Sequence, residues 1–196
     1  MGKVIVDISM SVDGLATASG VSAEQPLGAG GERLHSWFFG DDDRNQEAHG
    51  NAVGEVGAII AGRRTYDLSV PWWGPDGPSG PRRIPVFVVT HSAPEDAPEG
   101  SVYTFVSSGI DQALQRARRA ADGRDVAVMG GADIVQQYLR AGLVDELSIH
   151  QVPVLLGGGT PLFDEHGGAR LELETVDVIA TTDATHLRFR VLDGRH

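Results

Sequence analysis

Short apolar runs recur along the chain, separated by glycine, proline or polar clusters. Residues 56–62 and 126–129 are continuously apolar, which is typical of strands buried inside a sheet. Residues 171–178 and 185–192 alternate between apolar and polar positions, which predicts antiparallel strands with one solvent-facing side. The predicted strands cover residues 4–10, 56–62, 85–90, 101–106, 126–129, 145–156, 171–178 and 185–192.

Three segments between these strands have helical spacing: residues 44–54, 109–123 and 130–142. Strands that alternate with helices predict right-handed crossovers and a mostly parallel central sheet. The run of strands at the end of the chain predicts an antiparallel addition. We therefore expect an α/β fold with an antiparallel C-terminal strand.

One long loop is predicted over residues 13–35, DGLATASGVSAEQPLGAGGERLH, because glycine, proline and polar residues interrupt both the helical and the strand periodicity. Structureless loops of this length are uncommon inside small domains and are either functional or disordered. Both interpretations remain open at this point.

Composition narrows the class of protein. A chain of 196 residues predicts a single domain over residues 1–196. The net charge of −11 disfavours nucleic acid or an anionic membrane as a partner. The absence of cysteine excludes disulfides and zinc–thiolate sites, and no signal peptide or membrane span is recognisable, so we expect a cytoplasmic protein.

Two predicted strand-to-helix turns contain the residues best suited to bind an anion. Residues 62–65 read GRRT, which places two arginines where the helix dipole is positive; this is unfavourable unless an anion binds there. Residues 130–131 are Gly-Gly at a helix start, where free backbone N–H groups can bind a pyrophosphate. Thr90 and Ser92 lie at the end of the predicted strand 85–90, which falls between these two turns along the chain. Together these turns match an anion of the size of NADP.

Each of these features also has an ordinary structural interpretation. An arginine pair after a strand is commonly a solvated face, and Gly-Gly before a helix is commonly a tight turn. The seven histidines lack the H-x-x-x-H and H-E-x-x-H spacings, so no metal site is predicted.

The chain resembles the dihydrofolate reductase superfamily, and within it the reductase domain of the riboflavin-biosynthesis deaminase-reductase. The resemblance extends over the chain in the family order. It rests on the segments ISMSVDGLA (8–16), GRRTYD (62–67), PVFVVT (85–90), VMGGADIVQQYL (128–139), VDELSIHQVPVLLGGGTPLF (144–163) and THLRFRV (185–191).

The resemblance implies a three-layer αβα fold and NADPH as cofactor. It also implies that the segment after Ala16, up to His35, covers the active site. The positions that match the family's cofactor-binding segments are Val12, Gly14, Leu15, Ala16, Gly62, Arg63, Arg64, Thr65, Thr90, Ser92, Gly130, Gly131, Ala132, Asp133 and Ile134.

Two acidic residues are the catalytic candidates. Asp13 lies in the loop that the resemblance places against the nicotinamide. Glu47 lies on the first predicted helix, where dihydrofolate reductases carry a carboxylate, although Asp43 also fits and a solvated helix start explains both.

The resemblance implies an NADPH-dependent oxidoreductase with a small heterocyclic substrate, of the 5-amino-6-(5-phosphoribosylamino)uracil reductase type. A pterin or dihydrofolate reductase and a non-catalytic NADPH sensor are the alternatives. The family's zinc deaminase domain, which needs cysteine ligands, is not expected. A homodimer is implied, with residues 152–156 (VPVLL) contributing to its contact surface.

Overall fold

An eight-stranded sheet forms the centre of the part of the chain that this computed structural model describes, residues 2–163 and 170–192. The strands are β1 (Val4–Ser11), β2 (Leu15–Ala18), β3 (Val56–Gly62), β4 (Val86–Val89), β5 (Tyr103–Val106), β6 (Asp125–Val128), β7 (Glu146–Val152), β8 (Gly159–Pro161), β9 (Glu172–Ala180) and β10 (Thr185–Leu192). The α-helices are α1 (Asp43–Val53), α2 (Arg63–Trp73), α3 (Ile110–Ala121) and α4 (Ala132–Arg140), and 3₁₀ turns cover Gly31–Phe39, Gly74–Asp76 and Gly80–Arg82.

The strand order in the large sheet is β5-β4-β3-β6-β1-β7-β10-β9. Pairing is parallel from β5 to β7, whereas β10 is antiparallel to both β7 and β9. The predicted α/β fold with a mostly parallel sheet and an antiparallel C-terminal strand is therefore confirmed. Parallel strands are buried on both faces, which explains why β3 and β6 are almost continuously apolar.

Apolar side chains from the two faces of the sheet enter separate cores. Val6 and Ile60 pack on one face with Leu114 of α3 and Val135 of α4. Ile59 and Ala61, the alternate residues of β3, pack on the opposite face with Tyr66 of α2. Because successive side chains of a strand point to opposite faces, one strand contributes apolar side chains to the cores under both helical layers.

The prediction of one loop over residues 13–35 is wrong in part. Leu15–Ala18 forms β2 and pairs with β8, and the turn Gly31–Phe39 begins before the predicted loop ends. Trp37 of this turn is buried, and its indole Nε1 donates a hydrogen bond to Ser9 Oγ at 2.9 Å. The pairing of β2 with β8 could not be predicted from local periodicity, because the two strands are more than 140 residues apart in the sequence.

The predicted strand over residues 145–156 ends early, at Val152, because Pro153 follows and lacks the N–H that would continue the ladder. Across residues 2–163 and 170–192, no helix combines the length and the apolar character needed to cross a bilayer.

Candidate functional site

The turn after β3 and the turn after β6 lie side by side. The Gly62 N–H donates to the Gly130 carbonyl at 2.9 Å, and a Cβ placed on Gly131 would lie 3.2 Å from Thr65 Oγ1. The peptide between Gly130 and Gly131 is cis. The two predicted anion-binding turns are therefore one continuous surface at the carboxyl edge of the sheet.

Both turns open onto helix N-termini. Helix α2 begins after Gly62 and helix α4 after Gly131, and no described side chain caps either start. The first backbone N–H groups of an α-helix lack intrahelical acceptors, and with the helix dipole they favour an anion. This edge of the sheet can hold a phosphate or pyrophosphate through backbone groups.

The guanidinium group of Arg63 is held in place by two acceptors. Its Nε donates to Asp67 Oδ1 at 2.7 Å, one helical turn further along α2, and its Nη1 donates to the Ser92 carbonyl at 2.8 Å. Thr90 Oγ1 donates to the same carbonyl. The ends of β3 and β4 are thereby connected, whereas Arg64 is exposed to solvent.

The residues that follow Gly131 contribute in different ways. Ala132 and Ile134 are buried in the core, so that their backbone rather than their side chains faces the turn. The carboxylate of Asp133 accepts a hydrogen bond from Gln137 Nε2 at 2.7 Å. Their predicted cofactor contacts remain predictions.

The loop after β1 is attached to the glycine-rich segment near β8. Asp13 accepts hydrogen bonds from the backbone N–H groups of Leu156 and Gly157, at 3.1 and 2.8 Å. The Leu162 N–H donates to the Gly14 carbonyl. Val12 is exposed, and Leu15 and Ala16 are partly exposed.

Asp13 is a hydrogen-bond acceptor in this arrangement. Hydrogen bonding with Ser11 and with the Gly157 amide lowers the pKa of Asp13 to about 2. The carboxylate is therefore ionised at neutral pH and carries no proton to donate. Its predicted catalytic role stays a prediction, and its observed contacts anchor a loop.

Glu47 and Asp43 are exposed on α1. The buried positions of this helix are Asn45, Ala48 and Ala52, and at 100° per residue Glu47 falls on the opposite side. The assignment of Glu47 as catalytic stays a prediction.

A buried polar cluster, not predicted from the sequence, lies between the sheet and α1. Asp7 Oδ1 and His150 Nε2 are 2.9 Å apart, and His150 Nδ1 and His186 Nδ1 are 2.7 Å apart. His186 Nε2 contacts Asn45 Oδ1 at 2.9 Å, and His49 Nδ1 lies 3.9 Å from Asp7 Oδ2. The Trp37 ring covers His150, with a centroid separation of 4.1 Å.

Burial sets the protonation of this cluster. Burial lowers the pKa of His186 to about 4 and also lowers the pKa of His49, so both rings are neutral at neutral pH. Burial alone would raise the pKa of Asp7, but the hydrogen bonds and charge interactions with His150, His49 and Ser148 together outweigh it and lower that pKa. A sequence signal existed in β1, where Asp7 interrupts an apolar run, whereas β7 and β10 carry other polar residues that conceal His150 and His186.

A family model described as the RibD C-terminal domain matches residues 2–187. The chain belongs to the RibD C-terminal domain family. The resemblance noted in the sequence is thereby confirmed. Among relatives, the Bacillus subtilis (strain 168) protein YwjB is 24% identical over 163 residues, which are 83% of this chain and 83% of YwjB.

Solved structures share the fold. A Shewanella sp. PV-4 protein provisionally assigned to riboflavin biosynthesis has a TM-score of 0.71 at 22% identity, covering 97% of this chain and 99% of that one. Rib7, a riboflavin biosynthesis reductase of Saccharomyces cerevisiae, has a TM-score of 0.62 at 15% identity, covering 97% and 90%. Enterococcus faecalis dihydrofolate reductase in complex with NADP(H) has a TM-score of 0.62 at 14% identity, covering 98% of each chain.

In this RibD C-terminal domain, two regions thus contain groups suited to ligand binding or catalysis. The carboxyl edge of β3, β4 and β6 offers backbone N–H groups and two arginines, which suit a phosphorylated ligand. The cluster around His150 offers imidazole and carboxylate groups inside the fold. The sequence predicted the first region and missed the second.

Proposed function

We propose that this protein is an NADPH-dependent reductase. The observation that carries the proposal is the hydrogen bond between Gly62 and Gly130, which joins two uncapped helix starts into one anion-binding surface. One phosphate cannot use two helix starts and an arginine pair fully, whereas a dinucleotide with a 2′-phosphate presents several anionic groups. NADP(H) is the ligand in the complex of the E. faecalis neighbour.

Preference for NADPH over NADH is assigned to Arg63 and Arg64. A guanidinium group that binds a phosphate forms charge-assisted, bidentate hydrogen bonds, and the 2′-phosphate is the group that NADH lacks. Arg63 is already oriented by Asp67 and Ser92, so little side-chain entropy is lost when the cofactor binds.

The proposed hydride acceptor is a small aminopyrimidine of the 5-amino-6-(5-phosphoribosylamino)uracil type. Family membership supports this choice, together with the riboflavin biosynthesis reductase among the structural neighbours. The chain's own residues bind and orient the two reactants and exclude water. The packed turn Gly31–Phe39 and the β2–β8 pair are the elements that would cover the reactants.

Cofactor affinity tests the proposal. We expect Arg63→Ala and Arg64→Ala together to raise the Kd for NADPH about 10- to 100-fold, which corresponds to about 1.4–2.8 kcal/mol, and to leave the Kd for NADH within about 2-fold. Fluorescence titration measures both constants. The matched control replaces Arg116 and Arg119, two exposed arginines of α3, with alanine. Equal losses for the two cofactors would refute the 2′-phosphate assignment.

Turnover tests the acceptor. Loss of NADPH absorbance is followed with the aminopyrimidine and, separately, with dihydrofolate. We expect oxidation with the aminopyrimidine. Oxidation with dihydrofolate alone would move the substrate class to pterins, and saturable NADPH binding without oxidation by either compound would indicate a sensor.

We also propose a homodimer in which residues 152–156 contribute to the contact. Leu155 is 72% exposed, while its neighbours Val154 and Leu156 pack against the core around Trp37. Leu155→Glu should shift the protein to a monomer in size-exclusion chromatography with light scattering. Leu173→Glu, on exposed β9, is the control; dissociation by this variant alone would place the interface elsewhere.

A further inference from the structure

Ligand-type atoms from three separate elements converge in the buried cluster. Asp7 on β1, His49 on α1 and His150 on β7 each contribute one carboxylate oxygen or ring nitrogen, and these atoms all lie within 4.8 Å of one another. Metal-bound histidine nitrogen and carboxylate oxygen lie about 2.0–2.2 Å from zinc. Side-chain shifts of about 1 Å would therefore bring all three atoms onto one ion.

The hydrogen-bond chain behind His150 engages its Nδ1 through His186 and leaves its Nε2 facing Asp7. Asn45 Nδ2 donates to Asp183 Oδ2 at 3.0 Å, and since a carboxylate only accepts, the amide oxygen of Asn45 must face His186. The Nε2 of His186 therefore carries the proton in this contact.

His150 Nδ1 shares a hydrogen bond with His186 Nδ1 at 2.7 Å, so this nitrogen is already engaged. His150 Nε2 faces Asp7 Oδ1, 2.9 Å away. A carboxylate oxygen only accepts hydrogen bonds, so a cation, either a proton or a metal ion, lies between these two atoms. Such a backing hydrogen bond is the arrangement that orients a metal-binding histidine.

His49 supplies a second, independent indication. Its Nδ1 is buried without a hydrogen-bond partner among the described residues, although Asp7 Oδ2 is 3.9 Å away. Leaving a buried polar atom unpaired costs about 1–3 kcal/mol, so such atoms call for an explanation. The His49 side chain is 30% exposed, so the cluster lies close to the protein surface.

We infer that Asp7, His49 and His150 form a binding site for a divalent transition-metal ion of the zinc class. Two imidazoles and one carboxylate suit Zn²⁺ and Co²⁺ better than Mg²⁺ or Ca²⁺, which prefer oxygen ligands. Three protein ligands leave one tetrahedral position for water. This site is independent of the proposed NADPH reductase function.

Binding displaces the proton between His150 and Asp7, so one metal ion enters as about one proton leaves to the buffer. The chain is first treated with a chelator and dialysed. Calorimetric titration with ZnCl₂ in two buffers of different ionisation enthalpy then measures stoichiometry, affinity and proton release together. We expect one ion per chain, a Kd below about 10 μM, and release of about one proton.

The variant that decides the question is His49→Ala, because His49 is partly exposed and its loss leaves the Asp7–His150–His186 chain in place. We expect the Kd for Zn²⁺ to rise at least about 10-fold, and the absorption spectrum of tetrahedral Co²⁺ to disappear. Asn51→Ala, at an exposed position on the same helix, is the matched control and should bind as the parent does. Circular dichroism confirms that each variant is folded.

Zinc that binds the His49→Ala variant as tightly as the parent would overturn the inference, because the ion would then lie elsewhere. Failure of the parent to bind Zn²⁺ or Co²⁺ at 100 μM, on the order of ten times the expected limit, would show that a proton is the cation that His150 and Asp7 share. Neither result would bear on the NADPH titrations.

Discussion

A buried carboxylate connects the parallel and antiparallel parts of the sheet. Glu146 of β7 accepts hydrogen bonds from Lys3 Nζ at 2.6 Å and from the Nε and Nη2 of Arg188 on β10, at 2.9 and 2.6 Å. The Glu146 side chain is 3% exposed and that of Arg188 is 24% exposed, whereas Lys3 is half-exposed. These three residues are called the Glu146 ion cluster below.

We predict that Glu146→Gln lowers the free energy of unfolding by about 2–3 kcal/mol. Removing one partner of a fully buried ion pair costs about 3–5 kcal/mol because the other charge is left uncompensated. Here the two cations reach solvent in part, so the cost falls below that range. The glutamine keeps the shape and one acceptor, so the loss reports the charge rather than a cavity.

Urea denaturation followed by circular dichroism measures the effect, with the m-value checked for constancy. The control is Glu174→Gln, which removes the partner of Arg190 in an exposed ion pair between β9 and β10. Exposed pairs contribute about 0–1 kcal/mol. If the two variants lose the same small amount, burial does not determine the strength of the Glu146 ion cluster and the reasoning is wrong.

The pH dependence follows from the same contacts. Burial would raise the pKa of Glu146, but the hydrogen bonds from Lys3 and Arg188 outweigh burial and lower it. A carboxyl group whose pKa is lower in the folded state stabilises the fold above its unfolded pKa, about 4.3. The difference between the parent and Glu146→Gln should therefore be complete at pH 7 and shrink as the pH falls below about 4.

Two further predictions concern the loops around the proposed cofactor site. Gly159→Ala should raise the rate of hydrogen exchange in β2, because the new Cβ would lie 1.9 Å from the Thr17 carbonyl oxygen. The control is Gly100→Ala, which also has a positive φ but open space around the new Cβ, and it should leave exchange in β2 unchanged. Equal effects of the two variants would contradict the steric argument. Asp13→Ala should lower the protection factors of the two amides that donate to this carboxylate, and the parent should lose the same protection as the pH approaches about 2. Unchanged protection factors would exclude the anchoring role.

Much of the proposed cofactor site was predictable because its information is local. Gly62 and Gly130 each follow an apolar strand and precede a helix, and parallel strands bring such turns to one edge of the sheet. The carbonyl that orients Arg63 was not predictable, because it belongs to the backbone near Ser92 and contributes no side-chain pattern.

The acidic candidates show the limit of a resemblance. Asp13 was predicted from a matching loop, but its hydrogen bonds with the segment after β7 depend on how two distant loops meet. Glu47 was predicted from its place on the first helix, whereas the rotation of α1 against the sheet decides which side of the helix is buried.

The mostly parallel sheet, its antiparallel C-terminal strand and the two glycine-containing strand-to-helix turns were determined by the sequence, since periodicity and glycine placement act over a few residues. The tertiary structure alone decided the β2–β8 pairing and the meeting of Asp7, His49 and His150, which are up to 143 residues apart. Spacing rules for metal ligands detect sites on one helix or turn. When each ligand comes from a different element, the packing of those elements creates the site.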